Sequence, residues 1–168
     1  AVLPETLARF AERFARYGLR PEAITPVYGL AECSVGLAFP PPGRGPRVDA
    51  VQREAFARAG QALPASAQEP NPLRFVSCGR AIPGHAIRVV DEEEHPLAER
   101  LEGRVEFRGP SATAGYLDNP TATARLLRDG WLDTGDRGYL ADGEVFLTGR
   151  VKDIVIRGGR NLYPQEIE

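Results

Sequence analysis

A chain of 168 residues with a formal net charge of −2, 42% hydrophobic residues and 26% charged residues falls in the ordinary range of globular proteins. Its apolar runs are broken by Gly, Pro, Arg or Glu well short of the roughly 18 residues that a membrane span needs. The basic residues, with Lys152 as the only lysine, are scattered among acids, which argues against a nucleic-acid stripe.

Leu3, Leu7, Phe10, Phe14 and Tyr17 recur every three or four residues, with Pro4 in the first turn and Gly18 as a stop, so the spacing predicts an amphipathic helix. Ala23 to Tyr28 reads as a short strand emptying into the Gly29 turn, followed by a helical turn from Leu30 to Val35. Phe39 to Pro46 is too rich in Pro and Gly for helix or ladder and is expected to be a surface loop. Asp49 is placed to cap a short helix running to about Arg58, and Gly60 to Pro72 is polar and turn-rich. Residues 40–72 therefore read as an inserted excursion.

From Phe75 the period changes to that of strands: Ala86 to Val90, Gly103 to Arg108 and Gly143 to Thr148, each bounded by Gly, Pro or Asp. Asn119-Pro120-Thr121 opens a short helix to about Leu127. Val151 to Ile156 is again strand-like, with Gly158-Gly159 ending it. Cys33 and Cys78 read as free thiols of a reducing, cytoplasmic setting, since a chain this long can bury a core without a staple. His85, His95 and the acids Asp91 to Glu94 lack the spacing of a metal site or a triad and read as solvated groups. The sequence contains no methionine and stops at Tyr163 to Glu168 where a helix would begin, so the chain is expected to be a fragment.

Four clusters combine turn glycines with charged or aromatic residues: Tyr28-Gly29-Leu30-Ala31-Glu32, Gly109 to Tyr116, Trp131-Leu132-Asp133-Thr134-Gly135-Asp136, and Gly149-Arg150-Val151-Lys152-Asp153. In this order, and followed by Gly159 to Glu168, they resemble the adenylate-forming superfamily of acyl-CoA synthetases, luciferases, peptide-synthetase adenylation domains and fatty acyl-AMP ligases. The resemblance covers the whole chain. Phe75 to Arg80, Ile82-Pro83-Gly84 and the Arg160 to Glu168 ending are most similar to the fatty acyl-AMP ligase branch. Several members of that branch carry an extra segment after the Tyr-Gly motif, matching the place of residues 40–72.

The fold class implied is α/β. Residues 1–78 would be the end of a large α/β nucleotide-binding domain, 79–149 a β-rich bent sheet or barrel subdomain, and 150–168 a hinge and the start of a small C-terminal domain. The activity implied is ATP-dependent activation of a fatty acid as acyl-AMP, with Mg²⁺, pyrophosphate release and transfer to an acyl carrier protein thiol. Transfer to CoA is the alternative within enzymes, and a non-catalytic nucleotide-binding or interaction module the alternative outside them. Two anions must meet in such a reaction, so its barrier is one of placement and charge.

The resemblance implies a role for each site residue, and elementary chemistry supplies a plainer one beside it. Tyr28 would offer adenine a flat face, or be a core tyrosine. Gly29 would shape the nucleotide turn. Glu32 would be the Mg²⁺ ligand, or a solvated acid at a helix start. Ala31 stands where many members have threonine, which leaves a hydroxyl contact out. Asp136 would accept both ribose hydroxyls, or be a turn aspartate. Arg150 would donate to the ribose or α-phosphate, or be a surface arginine. Lys152 takes the hinge position between the domains. Tyr116, with Gly109 and Gly115, reads as packed scaffold. The family's catalytic lysine and phosphate loop have no counterpart in these residues, so the chain by itself is expected to be inactive.

Overall fold

The computed structural model describes residues 2–152, 155–157 and 160–162. The N-terminal helix α1 spans Pro4–Ala15, with proline in its first turn. The periodic apolar stripe does form a helix, but no residue of α1 is buried, and Phe10 and Tyr17 remain 49% and 70% exposed. Phe10 and Phe14 pack on each other with ring centroids 4.6 Å apart.

The strand expected at Ala23 to Tyr28 is replaced by a 3₁₀ turn at Pro21–Ala23 and a single bridge between Tyr28 and Ala38. Pro26 cannot donate to a ladder, so pairing is confined to the end of the segment. A second 3₁₀ turn covers Ala31–Cys33. Strand β1 (Ala38–Phe39) pairs with β4 (Arg80–Ala81), on either side of β2 (Val48–Val51), α2 (Arg53–Ala59) and β3 (Leu73–Val76) in sequence.

Asp49 does not cap a helix. It lies in β2, which pairs antiparallel with β3, and its Oδ2 accepts from Tyr139 Oη at 2.7 Å and Arg100 Nη1 at 3.1 Å. Helix α2 starts after Gln52 without a side-chain cap. Strand pairing of Val48 to Val51 has overridden the local capping tendency of aspartate. Nor is the 40–72 segment detached: Phe56 of α2 is fully buried, 5.0 Å from the Phe75 ring, in a cluster with Tyr139 and Phe146.

The remaining strands are β5 (Ala86–Val90), β6 (Gly103–Arg108), β7 (Leu127–Arg128), β8 (Trp131–Ala141), β9 (Glu144–Arg150), β10 (Val155–Arg157) and β11 (Arg160–Leu162), with α3 (Pro120–Leu126) before β7. Asn119 caps α3, its side chain accepting from Ala122 N at 3.0 Å. Strands β5 and β6 fall where expected, and β9 continues past Thr148 to Arg150. Trp131 to Asp136, read as a glycine-bearing turn cluster, instead belongs to the eleven-residue strand β8.

Strand β8 organises the five-stranded sheet, pairing antiparallel with β6, β7 and β9. The register shifts against β6 and again against β9 between Arg137 and Gly138. Such irregularities sharpen twist and bend a sheet, and the β-rich block is accordingly a half-barrel. One core lies between the sheet and the 28–38 segment, including Leu37, Val105, Phe107 and Val145; the other is the Phe56 cluster. Cys33 and Cys78 are both buried free thiols. Val151 and Lys152 form a turn, and β10 pairs with β11. Gly158, Gly159 and Tyr163 to Glu168 lie outside the described residues. Among those described, no helix is long and apolar enough to cross a membrane.

Candidate functional site

The pairing of β8 with β9 sets Asp136 opposite Arg150, immediately after Gly135 at φ +71°. Asp136 Oδ2 accepts a 2.7 Å hydrogen bond from Tyr28 Oη, and Oδ1 lies 3.4 Å from Arg150 Nε. The Asp136 backbone N–H donates to Thr134 Oγ1 at 3.1 Å, and that hydroxyl donates to Val105 O at 2.8 Å. The Asp136 backbone is thus fixed by strand pairing and a threonine, and its carboxylate by a phenol. Its side chain is 13% exposed, whereas that of Arg150 is 73% exposed and, among the described residues, pairs with Asp136 through Nε.

Tyr28 is 5% exposed, as the plainer reading of a core tyrosine has it. Its ring is core, and its contribution to the site is the hydroxyl that anchors Asp136. Burial first, and the Asp136 charge second, push the phenol well above its ordinary range, keeping it a proton donor. Gly29 shapes the next turn: a Cβ there would lie 1.4 Å from the Val35 carbonyl oxygen, so only glycine allows the chain to fold back on itself.

Glu32 sits in the Ala31–Cys33 turn. Its Oε1 accepts from Tyr116 Oη at 2.6 Å, and its carbonyl accepts from Thr113 N at 2.8 Å. Tyr116, expected as scaffold, therefore touches the candidate metal ligand; that hydrogen bond is the leading cause of its raised phenol pKa. The signal available in the sequence was its place at the end of the Gly109 to Tyr116 cluster.

An open cleft of about 420 Å³ is lined by Glu32, Tyr116, Asn119, Arg125, Asp133, Gly135 and Lys152, among others. Of the six residues singled out in the sequence, Tyr28, Asp136 and Arg150 meet directly. Glu32 and Lys152 line the adjoining cleft, while Gly29 shapes the turn leading to Glu32. The two groups join at Gly135, whose carbonyl accepts from Val151 N at 3.0 Å. A larger cavity of about 720 Å³, between the start of α1 and β3, contains none of them. Asp133 is engaged structurally by Arg104 and the Gly135 N–H, each at 2.8 Å.

No group of three or more His, Cys, Asp or Glu gathers among the described residues. A single carboxylate facing a cleft nevertheless suits Mg²⁺, which keeps several waters and takes the remaining oxygens from phosphates. Only Oε1 of Glu32 accepts a hydrogen bond among the described residues, leaving Oε2 for an ion. The expectation that His85 is solvated is also corrected: its Nε2 lies 2.7 Å from Ser111 Oγ.

The model of the AMP-binding enzyme family matches residues 1–117. A long-chain-fatty-acid–AMP ligase of Mycobacterium tuberculosis is 37% identical over 178 aligned positions, covering 97% of this chain and 30% of the relative. A medium-chain-fatty-acid–[acyl-carrier-protein] ligase of Moorena producens is 34% identical, with 99% of this chain and 30% of its own length covered. A solved structure from work on fatty acyl-adenylate ligases of E. coli and L. pneumophila superposes with a TM-score of 0.93 at 38% identity, covering 99% of this chain and 30% of that one. The chain thus spans about 30% of the length of these relatives. With the family model matching residues 1–117 and relatives aligned over 97–99% of its length, the chain belongs to the family of AMP-binding, adenylate-forming enzymes.

Proposed function

We propose that these residues are part of a cytoplasmic fatty acyl-AMP ligase that activates a fatty acid with ATP and passes the acyl group to an acyl carrier protein. Residues 1–78 would close a large nucleotide-binding domain, 79–149 form its β-rich subdomain, and 150–168 begin the mobile C-terminal domain. The observation that carries the proposal is the convergence of Asp136, Tyr28 and Arg150 at the edge of the Glu32 cleft. The fatty-acid and carrier-protein assignments draw support from the names of the two relatives above.

In the proposed reaction an oxygen of the fatty acid carboxylate attacks the α-phosphorus of ATP, the bond to the β-phosphate oxygen breaks, and pyrophosphate leaves with that electron pair. Asp136 accepts the ribose hydroxyls, its orientation already set by Tyr28, so the sugar docks without reorganisation of the carboxylate. Arg150 donates to the ribose or α-phosphate through the exposed part of its fork. Glu32 holds Mg²⁺, which when bound offsets the negative charge on the phosphate oxygens. Lys152, in the turn after β9, occupies the hinge about which the small domain would rotate before a carrier thiol displaces AMP.

The test uses the full-length enzyme with ATP, Mg²⁺ and a fatty acid. Asp136→Ala is expected to weaken ATP binding by about 1.5–3 kcal/mol, the scale of a charge-assisted hydrogen bond, and unchanged affinity removes Asp136 from the site. Product analysis separates acceptors: acyl-adenylate with transfer to a carrier protein supports the ligase, acyl-CoA the synthetase. The 168 residues alone are expected to release no pyrophosphate in response to fatty acid.

A further inference from the structure

We infer that His85, acting through Ser111, is a positioning residue for the turn that carries Glu32. The inference rests on the proposed function only for what Glu32 holds; the positioning itself is read from the geometry.

The Glu32 turn ends in two successive non-glycine residues with left-handed backbone, Ser34 at φ 48° and Val35 at φ 78°. A β-branched residue in that region is strained, and such a conformation persists only where its surroundings over-determine it. Segment 111–116 provides those surroundings. Ser34 Oγ donates to Ser111 O at 3.3 Å, Thr113 N donates to Glu32 O at 2.8 Å, and Tyr116 Oη donates to Glu32 Oε1 at 2.6 Å. Ser111 Oγ reaches the fully buried Cys33 Sγ at 3.3 Å and the Cys33 carbonyl oxygen at 3.4 Å.

His85 directs this hydroxyl. Its Nδ1 faces the Pro83 carbonyl oxygen at 3.3 Å. A carbonyl only accepts, so this pairing places a hydrogen on Nδ1. Ser111 Oγ lies 2.7 Å from His85 Nε2, its shortest contact, so the ring pins the same hydroxyl that meets the Cys33 thiol and carbonyl. The contacts run from Cys33 to Ser111 to His85 to Pro83, from the buried underside of the Glu32 turn out to a surface loop. Gly109 makes room for the ring: a Cβ there would lie 2.1 Å from the imidazole.

The experiment measures amide hydrogen exchange in the full-length enzyme without ligands, so that it reads local opening rather than turnover. Ser111→Ala and His85→Ala are expected to speed exchange of the amides of residues 31–36 by about tenfold, the effect of losing one hydrogen bond, while β5 and β6 exchange as before. Ser111→Thr and His85→Gln, which retain a hydroxyl and an acceptor, should restore most of the protection. In adenylation assays titrated with Mg²⁺, the two alanine variants should need several-fold more Mg²⁺ for half-maximal rate and reach a kcat close to wild type. Unchanged exchange at 31–36 in Ser111→Ala overturns the inference even if His85→Ala fails to fold. Glu32→Gln separates the two layers: if it leaves the Mg²⁺ dependence unaltered, the assignment of Glu32 to the metal fails while the exchange result still decides the positioning role.

Discussion

Removing a single oxygen, in Tyr28→Phe, tests whether the Asp136 carboxylate is pre-set by the core. The ring is 5% exposed and stays in place, so the loss of apolar burial is negligible and the change chiefly removes the 2.7 Å bond to Asp136 Oδ2. A hydrogen bond to a charged group contributes about 1.5–3 kcal/mol. Arg150 cannot substitute for it, because its Nε lies 3.4 Å from the other carboxylate oxygen and its side chain is 73% exposed. Asp136 keeps 13% of its side-chain surface, through which water offsets part of the loss, so the expected destabilisation sits at the low end, about 1.5–2 kcal/mol. Urea unfolding followed by the fluorescence of Trp131, the only tryptophan and on the same strand as Asp136, reads it directly. In a double-mutant cycle with Asp136→Ala the coupling should exceed about 1 kcal/mol. Independent, additive effects of the two substitutions would refute the argument that the phenol orients the carboxylate.

Two further outcomes follow from the same structure. Gly29→Ala drives a methyl group to within 1.4 Å of the Val35 carbonyl oxygen, a backbone overlap that should cost on the order of 3 kcal/mol or more; a variant unfolding at the wild-type urea midpoint would show that the turn can open cheaply. Stability should also fall at alkaline pH. Burial pushes the Cys78 thiol up from 9.0 to about 11, so the folded state holds that proton more tightly than the unfolded chain does. Its contribution is complete below about pH 9 and disappears as pH rises through about 11. The phenols of Tyr28 and Tyr139 are raised as well, both chiefly by burial, and add to the loss from about pH 10 upward. Chemical denaturation from pH 7 to 11 measures the slope, and Cys78→Ala should flatten it between pH 9 and 11.

Much of this fold is legible locally. The apolar spacing of Leu3 to Tyr17 finds α1, the Asn119-Pro120 pair finds the start of α3, and alternation finds β5, β6 and most of β9. The failures share a cause. Asp49 looks like a cap and becomes a strand residue, because β3 offers Val48 to Val51 a ladder that no local rule anticipates. Trp131 to Asp136 looks like a turn, yet it pairs with the non-local strand β6 as well as with its hairpin neighbour β7. For Tyr28 the sequence offers both a ligand face and a core ring, and only the packed core reveals that its hydroxyl reaches Asp136.

The candidate site divides in the same way. The resemblance of the motifs to the adenylate-forming superfamily is what singles out Tyr28, Gly29, Glu32, Asp136, Arg150 and Lys152 as candidates, and their residue types set the chemistry each can offer. Which of them touch was decided by the β8–β9 register, which sets Asp136 opposite Arg150, and by the packing that brings Tyr116 to Glu32 and His85 to Ser111. Composition and pattern specify what each side chain is able to donate, accept or bury. Distances between groups separated by as many as 108 positions, as in the Tyr28–Asp136 bond, exist only once non-local pairing has closed the loops between them.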